Sequence, residues 1–382
     1  MQLLLCKIDI AKLSQMGHRC QEGIFRRAIK GCYMAREPTK PTIYDVAQRS
    51  GAAPSTVSSA LSGHAKGRRI KPETVARIRE AAAELGYAPN LQAQGLRKSR
   101  SGLIGMLLPV HDNRFFSSLS QHFASEVRAR GLCPVIISTR REPDEEIQSV
   151  EDLLAYSIDA LLIAGATAPE ELSSICRRAS LPHVFVDLPS ANSPSVVSDN
   201  TYGAEQLTTT ILDLMPATGN PLRDRIYFLG GNPQFYATSR RVEAFHRVVM
   251  DRTSGVSPDQ IINCGYVPAR AAEELEKLIH TIGGLPAGLF INSIPVLEGA
   301  LSHLVNLPPD AFAESVIGCY DYDPFGAFLQ FPLHMVMQNP RELIGKAFAL
   351  LDSRTSDPVL EMVKPELISP HTIQRESLGE RG

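Results

Sequence analysis

From Gly102 onward the chain alternates short, unbroken apolar runs with longer amphipathic stretches. "LIGMLLPV" precedes "FSSLSQHFASEVRARG", "CPVIIST" precedes "EEIQSVEDLLAYS", and "IDALLIAG" precedes "PEELSSICRRA" and then "HVFVD". After Asp199 the alternation resumes with "GAEQLTTTILDL", "RIYFLGG", "SRRVEAFHRVVMD", "AGLFIN" and "SVIGCYDY". Continuous apolar strands of this kind are buried on both faces, and helices between them imply parallel pairing. Residues 101–375 therefore read as an α/β body of two doubly wound lobes. Ligands of such sheets lie beyond the carboxyl ends of the strands, which points to a cleft between the lobes. No GxSxG, HExxH, GxxxxGK[ST] or strand-to-helix GxGxxG occurs. "GLFINS" and "DYDP" carry amides and acids at strand ends with no paired nucleophile and base, so the body reads as a binder and not an enzyme.

A different texture precedes it. Thr42 stands before Ile43, with Asp45 three residues on, a capping-box-like helix start. Ile43, Val46 and Ala47 share one face, and Gly51 supplies a turn. A second short helix begins near Pro54, where proline suits the first turn. Val57 and Leu61 are spaced to face inward, leaving Ser55, Ser58 and Ser59 partly outward. A basic loop, Lys66–Lys71, leads to a third helix with Pro72 and Glu73 at its start, Val75, Ile78 and Leu85 on one stripe, and Gly86 after its end. Two short helices about a glycine turn, with a third packed on them, form a helix-turn-helix. A small helical bundle that binds protein fits the same pattern.

Charge separates the two parts. Residues 39–100 hold eleven Lys/Arg against four Asp/Glu, a net of +7, and residues 1–38 add +4. The whole chain is −2, so the remainder is −13. A short basic module on an acidic body suggests an end that binds a polyanion.

The stretch "TIYDVAQRSGAAPSTVSSALSG…RIKPETVARIREAAAELGYAPNLQAQGLRKSRSGLIGMLLP" resembles the lactose-repressor/galactose-repressor family of bacterial transcription regulators. The resemblance covers residues 41–375. It implies a small all-α helix-turn-helix headpiece joined by a hinge helix to a two-lobed, periplasmic-binding-protein-like body with parallel sheets. It also implies a domain order: an N-terminal extension over 1–38, the headpiece over 39–88, the hinge over 89–100, the body over 101–375 with crossovers near 199, 338 and 365, and a tail over 376–382. In the family the second helix enters the major groove. The matching base-reading positions are Pro54, Ser55 and Ser59, with Thr56 and Ser58 at phosphate-contact or packing positions. Thr42, Tyr44, Arg68 and Arg69 complete the DNA-binding set expected of the headpiece, and Asn90, Ala93 and Leu96 that of the hinge. Leu96 matches the leucine that wedges into the minor groove and bends the duplex, and Gly95 lowers the intrinsic helicity of that segment. Ala53 replaces a usual capping serine, and Ser59 stands where many members carry Arg. A serine reads bases less decisively than a bidentate Arg, which shifts operator choice toward Ser55, the basic loop and DNA shape.

In the body the resemblance places an effector site on Asn113, Phe115 and Phe116 of "PVHDNRFF", Asp187, Asp199, Arg241 of "SRRVEAF", Tyr266, Asn292, Asp321 and Gln338 of "MVMQNPRELIGKAF". Arginine, carboxylates and amides suit the hydroxyls of a polyol. With no Trp in the chain, a stacking platform must be Tyr or Phe, and Tyr266 matches such a position. Asn200 and Asp187 also fit a role in capping helices or bracing turns. The loop "SGHAKGRRIKPET" and "AGLFINSIPVLEGAL" match the fructose-repressor/sucrose-repressor branch, so fructose, sucrose or a fructose phosphate leads the effector candidates, ahead of other sugars and purine-like ligands.

The expected partners are operator DNA, a small-molecule effector and a second copy of the chain, in a dimer or a tetramer. No cofactor is expected. Seven scattered cysteines without a CxxC pair suggest a reducing cytosol. Cys6, His18, Cys20 and Cys32 match no compact zinc spacing. No run approaches membrane-spanning length, and Leu3–Leu5 is short for a signal segment, so the chain reads as cytoplasmic. Met34 is read as the natural start, with 1–33 an over-extended tail. The competing readings are a sugar-binding protein without a DNA role and a sugar-processing enzyme.

Overall fold

The structure, a computed structural model, describes residues 41–62, 65, 67–88, 100–253 and 255–370. It divides into two compact units, Met1–Leu91 and Gln92–Gly382. The N-terminal extension, the hinge candidates Asn90, Ala93 and Leu96, and Cys6, His18, Cys20 and Cys32 lie outside the described residues. Among the described residues no helix is long and apolar enough to cross a membrane, and no cluster of His, Cys, Asp and Glu is placed to hold a metal.

The first unit is three helices: α1 (Ile43–Ser50), α2 (Pro54–Leu61) and α3 (Pro72–Leu85). Asp45 Oδ2 accepts from the Thr42 backbone N–H at 2.6 Å, which fixes the start of α1. Gly51 and Gly86 end α1 and α3 in the left-handed conformation that glycine reaches without steric cost. Val46, Ala47, Val57, Ala60, Ile78, Ala81 and Ala82 form one small core.

The second unit has two six-stranded sheets. The first contains β1 (Leu103–Leu108), β2 (Cys133–Ser138), β3 (Ala160–Ala164), β4 (His183–Val186), β5 (Ser195–Ser198) and β11 (Leu360–Val363), in the order β11-β5-β4-β3-β1-β2, all parallel. The second contains β6 (Ile226–Leu229), β7 (Ile261–Ile262), β8 (Gly288–Ile291), β9 (Val316–Tyr320), β10 (Leu333–Met337) and β12 (Glu366–Ile368), in the order β12-β10-β9-β8-β6-β7. Its strands are parallel except β12, which runs antiparallel to β10. The two orders correspond position for position, so β4 of one lobe is the counterpart of β9 in the other.

Helices cover both faces of each sheet. In the first lobe these are α4 (Arg114–Ala129), α5 (Pro143–Ala155), α6 (Pro169–Arg178) and α11 (Pro340–Ser353). In the second they are α7 (Asn200–Leu214), α8 (Tyr236–Arg252), α9 (Pro268–Ile282) and α10 (Ile294–Leu304). Successive strand residues serve opposite cores: Met106 and Leu108 pack with Phe123 and Phe348, and Leu107 packs with Leu153 and Leu172. This is why the strands read as continuous apolar runs. The chain passes between lobes after β5, after β10 and between β11 and β12.

Glycine sets one close approach. A Cβ on Gly299 of α10 would lie 2.0 Å from the Pro268 carbonyl oxygen at the start of α9. Backbone cannot yield as a flexible side chain does, so the two helices would have to separate. Gly299→Ala is expected to lower unfolding stability by about 1–3 kcal/mol, the range for overpacking, measured by urea denaturation. An unchanged midpoint would contradict this packing.

Candidate binding cleft and headpiece

Arg241, on α8, is the centre of the cleft. It is 3% exposed. Its Nε donates to Asn200 Oδ1 at 2.9 Å and its Nη1 donates to the Asn292 carbonyl at 2.7 Å. The guanidinium lies 3.6 Å over the Tyr320 ring centroid. A buried charge needs opposing charge and hydrogen bonds to be tolerated. Asp321 and Asp187 supply the charge.

These two aspartates occupy equivalent places. Asp187 follows the last residue of β4, and Asp321 follows the last residue of β9. Both adopt the left-handed backbone region, φ 72° and 87°, a conformation that side chains other than glycine reach at a cost of about 1–3 kcal/mol. At Asp187 the chain makes a tight three-residue turn, with Leu188 N–H donating to the Val186 carbonyl at 2.9 Å. Each lobe thus turns one carboxylate out of the end of its sheet. Burial raises both above the usual carboxylate range, and the nearby arginines pull the other way. Asp187 is pushed up to about 6. Asp321 accepts from Gln338 Nε2 at 2.5 Å and from the Ile294 backbone N–H at the start of α10. Gln338 in turn accepts from the Ser198 hydroxyl, which joins the end of β10 to the end of β5 across the lobes.

Asn292, at the end of β8, is fully buried, and among the described residues both atoms of its side-chain amide lack a partner, as does the hydroxyl of Ser293 beside it. An unmet buried amide costs about 1–3 kcal/mol, and it is the group a ligand hydroxyl would satisfy. On the other side, the Tyr266 hydroxyl and Thr238 Oγ1 are 2.6 Å apart, and the Tyr266 ring stacks on Phe235 with centroids 6.2 Å apart. Arg141 from the first lobe sits over Phe235, Tyr266 and Phe116. Arg114, at the start of α4, bonds Asp323 of the second lobe at 2.5 Å.

The structure therefore brings Asp187, Arg241, Asn292, Asp321 and Gln338 together, with Phe116 and Tyr266 at the Arg141 side. Two further expected residues carry helix caps. Asn113 caps α4, accepting from Phe115 and Phe116 N–H at 2.9 and 3.3 Å. Asp199 caps α7 by accepting from Tyr202 N–H at 2.9 Å. Phe115 packs with its neighbour Phe116 at the edge of the first-lobe core. Asn200 braces Arg241 and donates to the Ser198 carbonyl. Arg141, Phe235, Thr238, Tyr320 and Ser293 were not among the expected residues. No motif marks them, because what places them is the meeting of segments far apart in sequence.

In the headpiece, Thr42, Tyr44, Pro54, Ser55, Arg68 and Arg69 are exposed, and Thr56 and Ser58 are half-buried. Arg69 has a left-handed backbone in the basic loop, φ 53°. Ser59 corrects the sequence reading: it is 6% exposed and its hydroxyl donates to the Ser55 carbonyl at 2.9 Å. The physical reason is that α2 packs against both α1 and α3, so its buried arc is wider than one stripe and takes in Ser59. Of the three positions expected to read bases, Pro54 and Ser55 at the N-terminus of α2 remain exposed.

The Asp187 carboxyl holds a proton more readily in the folded chain than in the unfolded one, where its ordinary value is 3.8. Its contribution to stability is full below that value and is lost as pH rises through about 6. Asp187→Asn avoids the loss. At 1.36 kcal/mol per pKa unit, the ligand-free variant is expected to be more stable than the parent at pH 7.5 by on the order of 2–3 kcal/mol, with the gap closing by pH 4. Melting curves that run parallel across that range would contradict the assignment.

Comparison with known proteins agrees with this architecture. The family model "Bacterial regulatory proteins, lacI family" matches residues 42–90, and "Periplasmic binding proteins and sugar binding domain of LacI family" matches residues 101–255. The ribitol operon repressor of Klebsiella aerogenes is 45% identical over 173 residues, which is 45% of this chain and 64%, just under two thirds, of that repressor. The sucrose operon repressor of Klebsiella pneumoniae is 26% identical over 328 residues, 83% of this chain and 94% of that protein. The lac repressor dimer bound to operator and the anti-inducer ONPF matches in fold with a TM-score of 0.71 at 19% identity, over 87% of this chain and 99% of that one. The Cra regulator of Pseudomonas putida in complex with fructose 1-phosphate matches with a TM-score of 0.61 at 22% identity, over 70% of this chain and 98% of that one. With a headpiece and a body that each match their LacI model, this chain belongs to the LacI family of bacterial regulatory proteins.

Proposed function

We propose that this chain is a transcriptional repressor whose grip on operator DNA is set by a polyhydroxy effector, a polyol, sugar or sugar phosphate, bound between the two lobes. The observation that carries the effector reading is the buried set around Arg241. Asp187 and Asp321 present acceptors from equivalent strand ends, and the unpartnered Asn292 amide offers both a donor and an acceptor. Vicinal hydroxyls are donors and acceptors at close spacing, and such a mixed set satisfies them. The relatives support the class: the ribitol and sucrose operon repressors are named for a polyol and a sugar, and the Cra structure holds fructose 1-phosphate. Ribitol therefore joins fructose, sucrose and fructose phosphate at the head of the candidates.

The DNA-binding half rests on the basic headpiece, with Pro54, Ser55, Arg68 and Arg69 toward the operator, and on residues 89–100 as the hinge, where Leu96 wedges into the minor groove. The chain works as a homodimer in the cytoplasm and reads a two-fold site. Effector binding favours one arrangement of the lobes, and operator affinity changes by the differential affinity of the effector for the two arrangements. No step in this account is catalytic.

The test is a thermal-shift panel of ribitol, fructose, sucrose and fructose 1-phosphate, run beside operator-retention assays. An effector at a hundred times its Kd adds about 2.7 kcal/mol by mass action, which raises Tm by roughly 5–10 °C for a body of this size. The same compound should change operator retention, and Arg241→Met should abolish both effects while keeping helical content. A panel without any shift, or turnover of a bound sugar, would contradict the proposal.

A further inference from the structure

Arg141 has no part in the site as the sequence describes it. It lies in the loop between β2 and α5, at the carboxyl end of the first-lobe sheet. Both Arg140 and Arg141 have left-handed backbones, φ 53° and 62°. Two consecutive arginines in that region need a surrounding structure that holds them there. Arg140 points to the surface and pairs with Glu145. Arg141 turns inward.

Its guanidinium is bounded by three rings: Phe116 at 5.7 Å, Phe235 at 5.5 Å and Tyr266 at 5.6 Å from the ring centroids. Phe116 belongs to the first lobe, and Phe235 and Tyr266 to the second, so the guanidinium sits within the cleft. Among the described residues it has no carboxylate at ion-pairing distance, and its one hydrogen bond, to the Gly165 carbonyl, is 3.5 Å long. Asp187 and Glu146 are near enough to feel its charge. Glu146 is already committed, its two oxygens accepting from Thr167 N–H at 3.1 and 3.0 Å. Arg241, by contrast, has its charge met by hydrogen bonds on two sides and a ring on a third. The cleft thus holds one satisfied guanidinium and one with most of its donors free. The rings around the free one displace water and strengthen its attraction for an anion.

We propose that Arg141 is a specificity-determining residue that selects effectors carrying an oxyanion, a phosphate monoester or a carboxylate, on the polyhydroxy chain. The proposal rests on the reading of this cleft as the effector site. In it, Arg241, Asn292, Asp187 and Asp321 hold the hydroxylated carbons, and Tyr266 and Phe235 cover their C–H face. Arg141 closes over the anionic end as a two-pronged donor, a geometry that lysine lacks.

The experiment is calorimetric titration of the full chain with matched pairs: fructose and fructose 1-phosphate, and ribitol, ribitol 5-phosphate and ribonate. The proteins are the parent, Arg141→Gln, Arg141→Lys and Arg241→Met, each first checked for an unchanged fold by circular dichroism. In the parent, an anionic member is expected to bind about 10- to 100-fold more tightly than its neutral partner, the range of a charge-assisted hydrogen-bond pair. Arg141→Gln should collapse that ratio to near one, and Arg141→Lys should restore part of it. Tighter binding by the phosphates alone, or by ribonate as well, identifies which oxyanion is read. If neutral and anionic members bind alike in the parent, or if the ratio survives in Arg141→Gln, the role assigned to Arg141 is wrong. Loss of all binding in Arg241→Met would still uphold the cleft itself in that case. Failure of every anionic probe to bind the parent overturns the proposal outright.

Discussion

A guanidinium held away from water organises the second unit. Arg241 can stay charged at 3% exposure only because the first residue of α7, the end of β8 and the ring of Tyr320 on β9 converge on it. Its charge in turn makes two buried carboxylates tolerable. Asp187 and Asp321 are brought within its field by left-handed turns at the ends of equivalent strands, at some cost in backbone energy. The network continues through Gln338 to Ser198 in the first lobe. Remove the arginine, and the acids, the turns and the cross-lobe bond lose their reason to be where they are.

The proposed switch requires the lobes to have two arrangements. Among the described residues, three chain crossings and a few polar bonds join the lobes, and each buried apolar cluster stays within one lobe. The Arg114–Asp323 bridge pairs a largely exposed arginine, 55%, with a carboxylate that is 12% exposed. The joints that a second arrangement would have to break are therefore few and polar. A ligand that bonds both lobes at once can shift the balance of the two arrangements, because its affinity differs between them.

Much of this was legible in the sequence. Thr42 with Asp45, Gly51, Pro54, Pro72 and Gly86 mark the headpiece helices through chemistry local to each end. The apolar runs mark the strands because sheets covered on both faces cannot alternate. Arg241, Asn292 and Asp321 were reached through the resemblance of short motifs. What stayed hidden depends on contacts between distant segments. Ser59 looked outward because a single helical stripe does not reveal that α2 is packed from two sides. Nothing local in the sequence marks Arg141, and its inward turn is visible only once Phe235 and Tyr266, more than ninety residues later, are placed beside it. The equivalence of Asp187 and Asp321 appears only when the two strand orders are laid side by side.

In the proposed switch, effector binding in the cleft and operator binding by the headpiece are two ends of one equilibrium. By linkage, if effector changes operator affinity by some factor, operator must change effector affinity by the same factor. The direct measurement is a pair of titrations under one salt condition, operator binding with and without saturating effector, and effector binding with and without saturating operator. The expected result is equal factors, on the order of 5- to 150-fold. An operator affinity that does not respond to an effector shown to fill the cleft would contradict it.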